Sequence, residues 1–288
     1  MLKNKIFESP ESILSALYQD SYIADTDLAV VLYLVMKLNK PLLVEGPPGV
    51  GKTEIGLALS RLMNTPLIRL QCYEGLDINN AVYEWNYQKQ LLSIKLMEQS
   101  GSSLKEKEHI IFSDEYILKR PLLKAITEAE KPPVLLIDEI DRADEEFEAY
   151  LLELLSAYQI SIPELGTIKA IHKPIVILTS NRTRELSDAL KRRCLYHWID
   201  FPSLEKEKKI IAKRLPNIEE SLLEQVVGYV QKFRSKSLSK LPGVSESIDW
   251  AESLMALGYR EVNAKAFRET IGVLIKSKDD IKLIKEEV

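Results

Sequence analysis

Cysteine is scarce in this 288-residue chain: there are two, Cys72 and Cys194, and neither lies in a CxxC pair. Two thiols cannot build a disulfide framework, so a reducing compartment is the expectation. Both read as small buried thiols. Histidine is scarce too, and His109, His172 and His197 share no metal-ligand spacing. Neither sign of charge dominates. The 39 Lys+Arg against 43 Asp+Glu leave a formal net charge of −4, without the electrostatic footprint of a dedicated nucleic-acid binder. Long apolar runs are missing too. The longest, residues 28–36, is nine residues, about half of the roughly 20 needed to span a bilayer. The opening MLKNKIFESP has no apolar core of signal-peptide length, and a cytoplasmic location is expected. No internal repeat or low-complexity tract appears. What remains is 45% hydrophobic and 28% charged, the balance of a globular protein with one large domain or one plus a smaller companion.

Local signals divide the chain. Ser9-Pro10-Glu11 reads as a helix cap, a first-turn proline and a first-turn acid, and a second helix starts at Thr26-Asp27 and ends before Lys40-Pro41. Residues 42–45 form a short buried strand, followed by a glycine-rich turn, a helix to about Met63 and another strand at 67–71. A strand–loop–helix–strand unit demands a parallel sheet covered by helices. The apolar runs at 134–137 and 175–178 suit central strands buried on both faces. Between them, residues 144–158 put Phe147, Leu151, Leu154 and Leu155 on one helical face, and 159–170 read as a β-hairpin. Beyond about residue 201 the pattern is helical, with Leu-Pro-Gly at 241–243 and Gly258 as the only sharp breaks. Ser203 caps the first of these helices, which carries charges of both signs.

Chemistry gathers at four places. Gly46-Pro47-Pro48-Gly49-Val50-Gly51-Lys52-Thr53 matches GxxxxGK[ST] at every fixed position. Glycines let successive N–H groups face a phosphate, Lys52 supplies a charge to the β/γ-phosphates, and Thr53 offers a hydroxyl to Mg²⁺. The helix that starts there adds its positive end. The second place is Asp138-Glu139, at the carboxyl end of an apolar strand and 86 residues after Lys52. Asp138 is placed to hold Mg²⁺ and Glu139 to activate a water. Third, Asn181 ends another buried strand, where its amide can bond the γ-phosphate or hold that water with Glu139. Fourth, Lys191-Arg192-Arg193 closes a helix. These cations either complement the helix dipole or provide an arginine finger to a neighbouring subunit, with Arg192 the first choice and Arg193 the second. Arg142 either meets an adjacent subunit or an acid beside the nucleotide, or is a surface cation opposite Asp144 and Glu145. Tyr83, Trp85 and Tyr87 alternate, and either face a client protein or pack on the sheet.

In this order, and with a helical segment behind them, the four elements resemble an AAA+ ATPase. The stretches LQCYEGLDINNAVYEWNY (70–87), VLLIDEIDRA (134–143), QISIPELGT (159–167) and 179–194 are similar more specifically to the MoxR family, and within it to the CoxD-like branch. The resemblance covers roughly residues 25–260. It implies an α/β P-loop NTPase fold, an αβα core with a parallel sheet in 26–201, an insertion near 72–115 and an all-helical lid in 202–288; the helix that Ser9-Pro10-Glu11 announces precedes the core in 1–25. It further implies ATP and Mg²⁺ as cofactors, a hexameric ring, and ATP-driven chaperone work on a client enzyme beside a von Willebrand factor A domain protein. For the CoxD-like branch the client is a molybdenum-containing hydroxylase such as CO dehydrogenase. One departure stands out. Where many relatives carry Gly-x-Ser-Pro-Arg in the lid, this chain reads Gly243-Val244-Ser245-Glu246-Ser247, without the sensing arginine unless Arg260 substitutes. Two other readings share the same core: a DNA-dependent motor such as a helicase loader, and a nucleotide-operated assembly switch with slow hydrolysis.

Overall fold

The structure, a computed structural model, describes residues 6–97 and 110–285. Residues 1–5, His109 with the 98–109 part of the expected insertion, and residues 286–288 of the expected lid lie outside the described residues. Helix α1 (Pro10–Gln19) starts at Ser9, whose side chain accepts from Ser12 N, and α2 (Thr26–Leu38) begins at the expected threonine. Strand β1 (Leu42–Glu45) leads through the glycine turn into α3 (Lys52–Met63), and β2 (Leu67–Gln71) follows. Next come α4 (Ile78–Ala81), β3 (Tyr83–Trp85) and α5 (Tyr87–Met97), within the bounds of the expected insertion, and then β4 (Ile117–Lys119) and α6 (Pro121–Ile126) beyond them. Then come β5 (Val134–Asp138), α7 (Glu145–Ala157), β6 (Gln159–Ile162), β7 (Gly166–Lys169), β8 (Ile175–Ser180), the single turn α8 (Asp188–Lys191) and β9 (Leu195–Trp198). Five helices close the chain: α9 (Leu204–Arg214), α10 (Glu220–Arg234), α11 (Val244–Ala256), α12 (Ala264–Leu274) and α13 (Lys278–Lys285).

The chain forms two compact units. One comprises Met1–Ala29, Glu45–Ala58 and Trp198–Val288; the other comprises Val30–Val44 and Leu59–His197. The second unit holds the main sheet, in the order β2-β5-β8-β1-β9. Strands β2, β5 and β8 run parallel, with Gln71 level with Asp138 and Leu136 level with Ile177. Every residue of β1 and β5 is buried, as continuous apolar strands in a covered sheet must be. Strands β6 and β7 pair as the expected antiparallel hairpin.

Strand β3 pairs antiparallel with β4, and the pair decides the fate of the alternating aromatics. Trp85 joins the core, with Tyr83 packed against that core. Trp85 meets Tyr83 and Phe112 edge-on, at centroid distances of 6.2 and 5.4 Å. Tyr87 is exposed. Packing therefore accounts for two of the three alternating rings.

In the first unit α9 to α13 enclose their own apolar core around Trp250, Phe233 and Phe267. The Trp250 indole N–H donates to Thr270 Oγ1 at 2.8 Å, which removes the cost of burying it. Glu207, fully buried, is clasped by Arg234 from two nitrogens, at 2.7 and 2.8 Å. Among the described residues the helices break in two places more than the sequence pattern suggests. Helix α9 ends at Arg214 and α10 starts only at Glu220, because Pro216 has no N–H to continue the ladder, and α12 ends at Leu274 before α13 starts at Lys278.

Candidate functional site

The phosphate loop belongs to the first unit. Gly49 and Gly51 take φ values of +77° and +93°, a region that costs other residues strain. Gly46 meets a different limit: a Cβ there would lie 2.0 Å from Ile199 O. Lys52 opens α3, is buried, and donates from Nζ to Gly46 O and Pro47 O at 2.7 Å each. The ammonium is thus folded onto the carbonyls of its own loop, between the turn and the positive end of α3. Thr53, half-buried, follows it on the first helical turn. Gly49 O accepts from Val244 N at 2.8 Å, so the start of α11 is hydrogen-bonded to the loop. Glu246 stands in the stretch that lacks the arginine, and its Oε2 accepts from Gly243 N at 3.1 Å as a helix cap.

The acids belong to the second unit. Asp138 ends β5 with 2% of its surface exposed. Its Oδ1 accepts from Thr179 Oγ1 at 2.5 Å and its Oδ2 from Arg69 at 2.5 Å. Glu139 has a left-handed backbone, φ +55°, and its N–H donates to the same Thr179 hydroxyl at 2.9 Å. The Glu139 carboxylate is held from both sides: Asn181 Nδ2 donates to Oε1 at 3.3 Å and Gln71 Nε2 to Oε2 at 3.1 Å. Asp138, Glu139 and Asn181, three of the expected site residues, therefore share one hydrogen-bonded network.

Asp141 fixes the Asn181 segment. It accepts from Thr183 N at 2.8 Å, Thr183 Oγ1 at 2.7 Å and Asn181 N at 3.2 Å. Burial pushes its carboxyl upward, but these donors outweigh burial and leave it below the usual range. Cys72 N donates to Asp138 O at 2.8 Å. Burial, reinforced by Asp138, Asp141 and Glu139, pushes the Cys72 thiol up to about 12, and burial does the same to Cys194. Such thiols are poor nucleophiles and poor metal ligands.

Among the described residues, no group of three or more His, Cys, Asp or Glu is arranged to hold a metal ion. Asp138 beside a hydroxyl is instead the hard-oxygen donor set that suits a Mg²⁺ brought in on phosphates, since that ion uses one or two carboxylates and keeps water.

The cations separate by their contacts. Arg193 donates to Ser156 Oγ at 2.5 Å and Ala189 O at 2.8 Å. Arg192, the cap residue of α8, is exposed; its backbone N–H donates to Asp188 O at 3.0 Å, while its guanidinium has no hydrogen-bond or ion-pair partner among the described residues. Arg142 is likewise exposed and forms no ion pair with Asp144 or Glu145. Arg184, which the motif reading passes over, donates to Ala143 O at 2.8 Å and pairs with buried Glu148. Arg69 and Gln71 are passed over as well. Their signal was the alternation in Leu-Ile-Arg-Leu-Gln, where two polar side chains share the face opposite Ile68 and Leu70.

The glycine loop with its lysine, and the strand ending in two acids on a five-stranded sheet, define an AAA+ ATPase, which binds nucleotide. The AAA domain family, dynein-related subfamily, matches residues 41–194, and the chain belongs to it. It is similar to an uncharacterized protein of Staphylococcus haemolyticus, 28% identical over 263 residues that cover 89% of this chain and 84% of the relative. An uncharacterized protein of Staphylococcus aureus is 29% identical over 226 residues, 76% of each chain. Among solved structures, a mutant of Thermotoga maritima RuvB superposes with a TM-score of 0.51 at 19% identity, covering 89% of this chain and 71% of that one. That likeness is one of fold. Among the described residues no helix is long and apolar enough to cross a membrane.

Proposed function

We propose that the chain is a MoxR-type ring subunit, hexameric in its working form, whose ATP hydrolysis remodels or matures a client protein. In this reading residues 202–288 act as the lid, Lys52 and the N–H groups of residues 46–51 hold the triphosphate, and Thr53 and Asp138 hold Mg²⁺. The metal, when bound, neutralises charge on the β- and γ-phosphates. Glu139 takes the proton of the attacking water, and Asn181 keeps that carboxylate and the water aligned. Arg192 of a neighbouring subunit stabilises the charge that develops in the transition state. The reading is carried by one observation: the Glu139 carboxylate is bracketed by Asn181 and Gln71, one residue from a buried Asp138. The freedom of the Arg192 guanidinium beside an engaged Arg193 supports the choice of finger. A von Willebrand factor A domain partner and a molybdenum-hydroxylase client are the finest grain of the proposal, and they rest on the sequence resemblance.

Glu139→Gln tests it. The variant keeps shape and ATP affinity while steady-state turnover falls by about 10²-fold or more, the usual contribution of a general base. The trapped ATP state then captures client and partner in a pull-down identified by mass spectrometry. Turnover at the wild-type rate would remove Glu139 from the chemistry, and capture of DNA-replication proteins would replace the client assignment.

A further inference from the structure

Arg69 occupies a position that a static support would not need. On β2 it sits two residues before Gln71, on the strand face turned away from Ile68 and Leu70. The register with β5 sets Arg69 level with Leu136 and Gln71 level with Asp138. The guanidinium therefore reaches forward along the strand, and one nitrogen donates to Asp138 Oδ2 at 2.5 Å and to Gln71 Oε1 at 2.5 Å. Thr179 takes the other oxygen of the carboxylate.

The two partners differ in freedom. The Arg69 side chain is 50% exposed and that of Asp138 is 3% exposed. A carboxylate this buried needs a counter-charge at all times, because an unpaired buried charge is costly. Arginine supplies one on a long, solvent-reaching stem, so the cation can leave while the acid stays.

Mg²⁺ would meet the same need at the same carboxylate, and a second cation brought to one buried acid is repelled by the first. Resting on the reading of Asp138 as the Mg²⁺ residue, we propose that Arg69 is a resident counter-ion that competes with Mg²⁺ for Asp138. It thereby sets the Mg²⁺ concentration at which nucleotide binding becomes tight. Arg69 is a positioning residue: it keeps the carboxylate paired and aimed before nucleotide arrives, and withdraws when the metal arrives.

The test is a titration of Mg²⁺ against the affinity of the full chain for a fluorescent ATP analogue, with Arg69→Ala, Arg69→Lys and Asp138→Asn beside the wild type. Competition predicts that Arg69→Ala lowers the Mg²⁺ midpoint roughly 3- to 10-fold, about 0.7–1.4 kcal/mol, as suits a half-exposed pair. Arg69→Lys should lie between, and affinity in EDTA should stay within about twofold for both, consistent with an effect confined to the metal. A midpoint unchanged or raised in folded Arg69→Ala, while Asp138→Asn still shifts it, overturns the competition and leaves the Asp138 assignment standing. A wild-type midpoint in Asp138→Asn overturns that assignment and this proposal with it. Should the alanine variant fail to fold, Arg69→Lys and Arg69→Gln carry the comparison.

Discussion

Removing the Asp141 carboxylate should loosen the loop that carries Asn181, and the structure sets the size of the effect. The carboxylate has 2% of its surface exposed and gathers three donors: Thr183 N, Thr183 Oγ1 and Asn181 N. A hydrogen bond to a charged group is worth about 1.5–3 kcal/mol, and stranding a buried donor costs about 1–3 kcal/mol. Thr183 is exposed and Asn181 half-buried, so water recovers part of that loss. Asp141→Ala should therefore destabilise the protein by about 2–4 kcal/mol, and Asp141→Asn, which keeps the shape, by about half as much. Urea unfolding at pH 7 measures both. The pH dependence gives an independent check. The folded carboxyl lies below its ordinary value of 3.8 because the donors outweigh burial. Its contribution is present above the unfolded value and is lost as pH falls through the folded one. The gap between wild type and Asp141→Asn should thus narrow as the pH drops from about 5 toward 3. An Asp141→Ala variant within about 0.5 kcal/mol of wild type, the range of an ordinary surface change, would refute the reasoning. So would a gap that widens in acid.

Two further outcomes follow from close packing in the first unit. Gly46→Ala places a Cβ 2.0 Å from Ile199 O; because the obstacle is backbone, the loop must move and take the Gly46 O–Lys52 contact with it. Nucleotide affinity should fall about tenfold or more, roughly the 1–3 kcal/mol of a strained backbone, and a fluorescent-nucleotide titration with wild-type affinity would refute it. Arg234→Ala leaves fully buried Glu207 without its clasp, and urea unfolding should show a loss of about 3–5 kcal/mol. Combining it with Glu207→Leu should recover part of that loss, since the charge to be buried is then gone; no recovery would mean that the pair acts through packing alone.

Most of the secondary structure was legible because its signals are local. Ser9, Asp144 and Ser203 each cap the helix they announce, and each accepts from the N–H three residues on. The phosphate loop declares itself for the same reason: its turn, lysine and helix start lie within eight consecutive residues. The strand pairs were legible up to their order. The run Val134-Leu135-Leu136-Ile137 says that β5 is covered on both faces, but the sequence does not say that β2 and β8 are its neighbours. The break at Pro216 was equally local, yet it lies among charged residues whose helical spacing continues past it.

What stayed hidden is the support around the acids, and the reason is physical. A motif is a set of residues that one short segment brings to a ligand, whereas the network around Asp138 and Glu139 is assembled across the sheet. Arg69 lies 69 residues from Asp138 in sequence, Gln71 lies 68 from Glu139, and Thr179 lies 41 from Asp138. Each looks ordinary in its own segment: a cation and an amide on the polar face of an edge strand, a threonine inside an apolar one. They acquire meaning only once β5 lies between β2 and β8, so that the two neighbouring strands each offer a donor to the acids at its end. Asn181 could be singled out because an amide ending a buried strand is conspicuous, whereas Asp141, which fixes its backbone, sits in a run of acids where one more attracts no notice. The same geometry explains why Arg69 matters more than its half-exposed position suggests. The strand order makes it the residue on β2 whose charge reaches the buried carboxylate, so its removal should act on the metal dependence of binding before it acts on the fold.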